Sequence, residues 1–223
     1  MNFNLNAAKA LLGAAVVAGA VTAISQPASA ISFNTGGTTV SGNGQISSKS
    51  GVTTLDFDNP SSISYSGGNV VSGSISGKYA APPDDLTKYL TVGSGIDAGS
   101  GSATIALGGL KGYFGLFVSS IDSYNSIEFL KANVRQALFG EGGTALSPNP
   151  TGDQSVGQYY NFFGDNNSDL FDKVVLRSSR AALEVDNIAT RTAIPTPALL
   201  PGLIGMGVAA WRKRRGESAQ SEA

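Results

Sequence analysis

Tyr113-Phe114-Gly115-Leu116-Phe117-Val118 decides the fold. The run is almost wholly apolar and lacks the alternation of a strand that is wet on one side. A short, continuous apolar stretch of this kind reads as a strand buried on both faces, in the middle of a sandwich. Upstream, Ala103-Thr104-Ile105-Ala106-Leu107 reads as a second strand, ended by Gly108-Gly109. Downstream, Ser126-Ile127-Glu128-Phe129-Leu130 follows across a short turn at 121–125. Further out, Tyr159 to Phe163, Phe171 to Leu176 and Ala182 to Ile188 have strand composition, with turn residues between them. Val174 and Leu176 should point one way, as should Leu183, Val185 and Asn187 on their own strand.

The earlier part of the chain is dense in Ser, Thr, Gly and Asn, with apolar residues at short intervals. Residues 31–51 read either as weak strands or as a flexible linker. Val52 to Phe57 is a strand stopped by Asp58-Asn59-Pro60, and Ile63-Ser64-Tyr65 alternates before a turn at Ser66 to Asn69. Val71, Gly73, Ile75, Gly77 and Tyr79 fall on one face of a period-two stretch, which predicts a half-buried strand. Pro82-Pro83-Asp84-Asp85 is a loop, and Leu86 to Val92 is a strand or one helical turn. Asn133 to Phe139 is a short helix or a strand, cut off at Gly140. Residues 141–157 form a long loop. About ten short strands with turn signals every eight to twelve residues predict an all-β, antiparallel β-sandwich of jelly-roll or lectin-like type.

Composition narrows the chemistry. The 223-residue chain has no Cys and no His. No disulfide framework or Cys-ligated zinc site can form, and a Ser-His-Asp triad cannot be built. Residues 31–194 carry ten Lys and Arg against fourteen Asp and Glu, with no basic stripe. That balance argues against nucleic acid as a partner, because such binding rests on cations that neutralise phosphates.

The two ends read as addresses. Lys9, the apolar stretch Ala10 to Ile24, and Ala28 and Ala30 at positions −3 and −1 predict a signal peptide over 1–30, cut before Ile31. Near the other end, the apolar run Ala198 to Trp211 has 14 residues, followed by Arg212, Lys213, Arg214 and Arg215. As a helix it spans about 21 Å, short of a hydrocarbon core about 30 Å thick. The basic cluster should remain cytoplasmic. A removable tail and a plain C-terminal anchor both fit this pattern. The domain limits expected are 1–30 for the signal helix, 31–191 for the ectodomain and 192–223 for a tail with a transmembrane-like helix.

The tail resembles the PEP-CTERM class of sorting signals, in the cyanobacterial variant whose motif is Pro-Thr-Pro-Ala, here Pro195, Thr196, Pro197 and Ala198. Motif, apolar run and basic stop follow in the family's order, whereas the polar extension 216–223 departs from it. The resemblance implies export by signal peptidase and the export machinery. It also implies a transient membrane anchor and recognition by an exosortase-type membrane protease at the cell surface. Residues 113–129, 171–176 and 184–188 resemble the sandwich ectodomains that precede such tails.

Candidate sites are few. Asp165, Asn167, Asp169 and Asp172 put oxygen atoms at the alternate positions of a calcium loop, with Asp122 or Asp186 as further ligands. Leu170 and Leu176 stand where an EF-hand needs Gly and Glu, so an acidic turn is the competing reading. Asp122, Glu128, Glu184 and Asp186 are the carboxylates from which a glycosidase pair would be drawn, although nothing sets an acid opposite a nucleophile. Tyr113, Tyr124, Tyr159 and Tyr160 would stack on sugars if exposed. Gly140-Glu141-Gly142-Gly143 lacks the Lys of a phosphate loop. The expected function is therefore non-enzymatic, structural or adhesive, within an extracellular polysaccharide layer. The alternatives are a carbohydrate-binding module, with or without calcium, and an extracellular glycosidase.

Overall fold

Strand β8 (Ser102–Val118) is 17 residues long and joins the two halves of the sheet. The computed structural model describes residues 31–59, 63–93, 101–119, 121–146 and 152–193. Before β8 come β1 (Ser32–Thr35), β2 (Thr38–Thr39), β3 (Gln45–Ile46), β4 (Thr53–Leu55), β5 (Ser64–Gly67), β6 (Asn69–Val71) and β7 (Tyr89–Val92). After it come β9 (Asn125–Lys131), β10 (Val134–Gly140), β11 (Gln158–Phe163), β12 (Phe171–Ser178) and β13 (Leu183–Thr192). Eleven strands form one antiparallel sheet, and β2 and β3 pair separately. No helix occurs among the described residues. The all-β, antiparallel part of the expectation is observed. The signal segment with Ala28 and Ala30, the motif Pro195 to Ala198 and the basic stop Arg212 to Arg215 lie outside the described residues.

The first half of β8 pairs with β12 and β5, through Ala103↔Leu176 and Ala103↔Gly67. The second half pairs with β11 and β13, through Phe117↔Tyr159 and Phe117↔Asp186. Gly108-Gly109 does not end the strand, as its composition suggests. It bends it: five steps along β8, from Ala106 to Lys111, oppose two along β12. Gly108 at φ 66° and Gly109 at φ 134° adopt backbone that side chains oppose, which is why two glycines stand at the bend.

The core lies where the two halves meet. Phe129 is its centre, with ring centroids 4.8 Å from Phe171, 4.9 Å from Phe162, 5.7 Å from Phe114 and 5.9 Å from Phe139. Edge-to-face contacts of this kind add to the gain from burying apolar area. Phe33 on β1 reaches Phe139 on β10 at 5.4 Å, so the β1–β11 ladder and the β9–β10 ladder share one interior.

Two readings of local structure need correction, and one open alternative is settled. Val71 to Tyr79 is not one strand. β6 ends at Val71, and the chain turns through Gly73 (φ 65°) and Gly77 (φ 76°), leaving Ile75 47% exposed. The period-two pattern there is a coincidence of turn glycines. Residues 134–140 are strand, held by pairing with β9. On β13, Leu183 and Val185 face the core but Asn187 does not, and Ile188 takes its place. A bulge causes this: Asp186 opposes Phe117 while Ala189 opposes Gly115. Asn187 sits at φ 50°, a left-handed backbone that Asn tolerates.

Candidate functional site

The second half of β8 is buried on both faces, as its apolar run predicts. Phe114, Leu116 and Val118 join the aromatic core. Tyr113, Gly115 and Phe117 point the other way and are still buried. What covers them is the Ser- and Gly-rich segment 36–50, with Ser47 at Tyr113 and Gly44 against the Phe117 ring, together with Pro83 and Asp84 beside Phe117. The covering is hydrogen-bonded rather than oily. Tyr113 Oη lies 2.7 Å from Ser47 Oγ and donates to Asn161 Oδ1 at 2.8 Å. Asn161 Nδ2 donates to the Gly36 carbonyl at 2.8 Å. Tyr159 Oη donates to the Asn187 carbonyl at 3.0 Å, and Asn187 Nδ2 donates to the Asn43 carbonyl at 2.7 Å. Burial holds the Tyr113 and Tyr159 hydroxyls protonated, above the usual phenol range.

On this same face β13 carries Glu184 and Asp186, which share it by period two. Thr91 of β7 lies opposite Glu184. On the other side, the Ser119 N–H donates to the Glu184 carbonyl at 3.1 Å. The row Thr91, Glu184, Ser119 thus crosses three strands, and each of the three is at most 2% exposed. One step along, the loop 80–88 brings Asp85 and Thr87 to Asp186. Asp85 Oδ1 accepts the Thr87 N–H at 2.9 Å. Thr87 Oγ1 stands 2.5 Å from Asp85 Oδ1, 3.3 Å from Asn43 Oδ1 and 3.4 Å from Asp186 Oδ2. One hydroxyl proton therefore faces three acceptors.

The electrostatics follow from this geometry. Burial pushes the Asp186 carboxyl up to about 8, with the like charges of Asp85 and Asp56 adding to it. Burial also pushes Glu184 up to about 7, although the Ala80 N–H, donating to Oε1 at 3.0 Å, opposes the shift. Beside Glu184 opens a cleft of about 420 Å³, lined by Ser74, Ile75, Lys78, Tyr79, Gln154 and Ala182 among others.

The residues singled out from the sequence fall in several places. Asp165 is exposed, and the Asn167 carbonyl accepts Lys131 Nζ at 2.6 Å. Asp169 is buried and accepts Asn166 Nδ2 at 3.1 Å and Ser168 Oγ at 3.0 Å. Asp172 accepts the Ala132 N–H at 2.9 Å. These side chains serve the turns around them. Among the described residues, no group of three or more Asp, Glu, His or Cys side chains is arranged to hold a metal. Glu128 is buried on the outside of β9, between Arg135 Nε at 2.6 Å and Arg177. Burial raises its pKa, but the two guanidiniums outweigh this and hold the carboxyl below the usual range. It is far from pairing with Glu184 or Asp186, which stand on β13. Tyr113, Tyr159 and Tyr160 are at most 1% exposed, so only Tyr124, whose ring lies 5.3 Å from the Arg180 guanidinium, presents a face. Ile31, where the mature chain should begin, packs into the core.

The residues that sequence reasoning passed over are Asp85, Thr87, Thr91 and Ser119. The one available signal was Thr91, a lone polar residue in the buried run Tyr89-Leu90-Thr91-Val92. No protein-family model, no curated protein and no solved structure matches the chain.

Proposed function

We propose that the chain is an exported, non-enzymatic protein of the cell surface or extracellular matrix, sorted through its tail by an exosortase-type system. In this reading the two halves of the sheet form a β-sandwich of jelly-roll or lectin-like type, with a structural or adhesive role. The observation that carries the reading is the register across four strands. Ser32 opposes Phe163, Phe163 opposes Tyr113, and Tyr113 opposes Arg191. The start of β1 and the end of β13 therefore lie in one row, three strand spacings or roughly 14 Å apart. The chain that precedes Ile31 and the chain that follows Ala193 leave the sheet from the same end. A domain cut free at Ile31 beside one membrane and held there by its C-terminal segment is compatible with this geometry.

Intact-mass analysis of the protein released by its native host tests the proposal. Termini at Ile31 and close to Pro195 are expected. A mass that retains Lys9, or one that retains Trp211 in the released form, would overturn the corresponding half of the reading.

A second reading, glycan binding, draws on the cleft beside Glu184. It lies at the end of β13 remote from Thr192, so it would face away from the membrane. Hydroxyl, amide and carboxyl groups from Ser74, Gln154 and Glu184 line it with the Tyr79 ring. A glycan array probed with the wild type and with Gln154→Ala separates the two. Binding that the variant loses favours the module, and no binding to any glycan favours the structural role.

A further inference from the structure

Four buried side-chain oxygens in the described residues have no hydrogen-bond partner: Asp85 Oδ2, Asp186 Oδ1, Thr91 Oγ1 and Ser119 Oγ. All four fall on one strip, the covered face of β7, β13 and the end of β8, with the loop 80–88 that packs on it. Two of these, Asp85 Oδ2 and Asp186 Oδ1, belong to the carboxyl groups that meet at the Thr87 hydroxyl, in residues no more than 4% exposed, while Thr91 and Ser119 flank Glu184 in the next row. The deficit has a sign. The strip is rich in acceptors: the carboxyl groups of Asp85 and Asp186, which meet at Thr87 Oγ1, the Asn43 amide oxygen and the Thr87 hydroxyl itself. Donors to these carboxylates are the N–H and O–H of Thr87 and the N–H of Asn187. The charges that act on Asp186 from Asp85 and Asp56 are of its own sign. Ionising both carboxyl groups in this buried site without a counter-charge is costly, and the upward shift of Asp186 expresses that cost.

We propose that Asp85 and Asp186 together bind one hard divalent cation of the calcium type. Asn43 Oδ1 and Thr87 Oγ1 contribute neutral oxygens, and water completes the shell. Calcium takes six to eight oxygen ligands in loose geometry, so two carboxylates with neutral donors suffice, whereas softer metals would want nitrogen or sulfur. Access comes from the side of Asn43 and Thr87, which are only half-buried. The cation would tie the loop 80–88 and the segment around Asn43 to the bulged strand β13. It thereby closes the covering over the second face of the sheet. This site is distinct from the turn at Asp165 to Asp172 and does not depend on the sorting reading.

The test uses the full chain, purified in mild detergent and stripped with EGTA. Equilibrium dialysis against calcium should give one ion per chain, with a dissociation constant in the range of extracellular modules, about 10⁻⁴ to 10⁻³ M. Asp85→Asn and Asp186→Asn should each weaken binding by about tenfold or more, while Asp165→Asn with Asp169→Asn should leave it unchanged. Calcium should raise the melting temperature of the wild type and not that of the Asp85→Asn variant. If Asp186→Asn fails to fold, the wild-type stoichiometry and the Asp85→Asn variant still decide. No bound calcium in the wild type overturns the proposal, as does binding that survives both single variants. Binding lost only in the Asp165/Asp169 variant overturns it equally.

Discussion

The hydroxyl of Tyr159 on β11 donates a 3.0 Å hydrogen bond to the main-chain carbonyl of Asn187, the residue at which β13 bulges. A bulge leaves one residue outside the ladder, and here a side chain two strands away supplies what the ladder does not. Tyr159→Phe removes the donor and leaves a buried carbonyl short of a partner. The expected cost is about 1–2 kcal/mol, read from urea unfolding at constant m-value.

The bulge itself is tested at Asn187. Asn187→Gly keeps the φ of 50° without strain and loses the Nδ2 bond to the Asn43 carbonyl. It should cost about 1 kcal/mol. Asn187→Val adds a β-branched side chain that resists the left-handed region, a further penalty of about 1–2 kcal/mol. Equal stability of the two variants would mean that the backbone at this position is not left-handed.

Glu128 gives the acid limb of the stability profile. Its folded pKa is depressed, so its contribution is present above the unfolded value of about 4.3 and disappears as pH falls through the lower folded value. Glu128→Gln should flatten the loss of melting temperature between about pH 5 and pH 3. At pH 7 the variant should be less stable by only about 1–2 kcal/mol, because the partner side chains, 59% and 46% exposed, are screened by solvent.

Phe129 touches four other Phe rings across both halves of the sheet. Phe129→Ala should cost about 3–5 kcal/mol, the range for a large aromatic removed from a packed core. Calorimetry would show it as a single lowered transition if the halves fold as one unit. Two separated transitions would show that β8 links independently stable parts.

Much of the sheet was legible because burial and periodicity agree along it. Tyr113 to Val118 had to be covered on two sides, and it is. Val174 and Leu176 had to share a face, and they do. The reading went astray where glycine sets the backbone. Gly73 and Gly77 turn a stretch that alternates like a strand, and Gly108-Gly109 bend a strand that they look fit to end. The acidic strip was hidden for a different reason. Asp85 and Asp186 are 101 positions apart in the chain, and the pairing of β13 with β7 and the folding-over of the loop 80–88 bring them together. The same covering explains the Ser- and Gly-rich segment 36–50, for which a linker was the alternative to weak strands and which packs close to aromatic rings. At Gly37 a methyl group would stand 2.8 Å from the Tyr159 Cβ.

The placement of β13 has a mechanical consequence. The strand is flanked by β8 on one side and by β7 and β4 on the other. Tension applied through the residues after Thr192 runs along its axis, while its ladder bonds stand across that axis. Such a pull shears many bonds at once instead of opening them one after another. A domain gripped at this end resists force through the whole width of its sheet, whatever it holds at the other end.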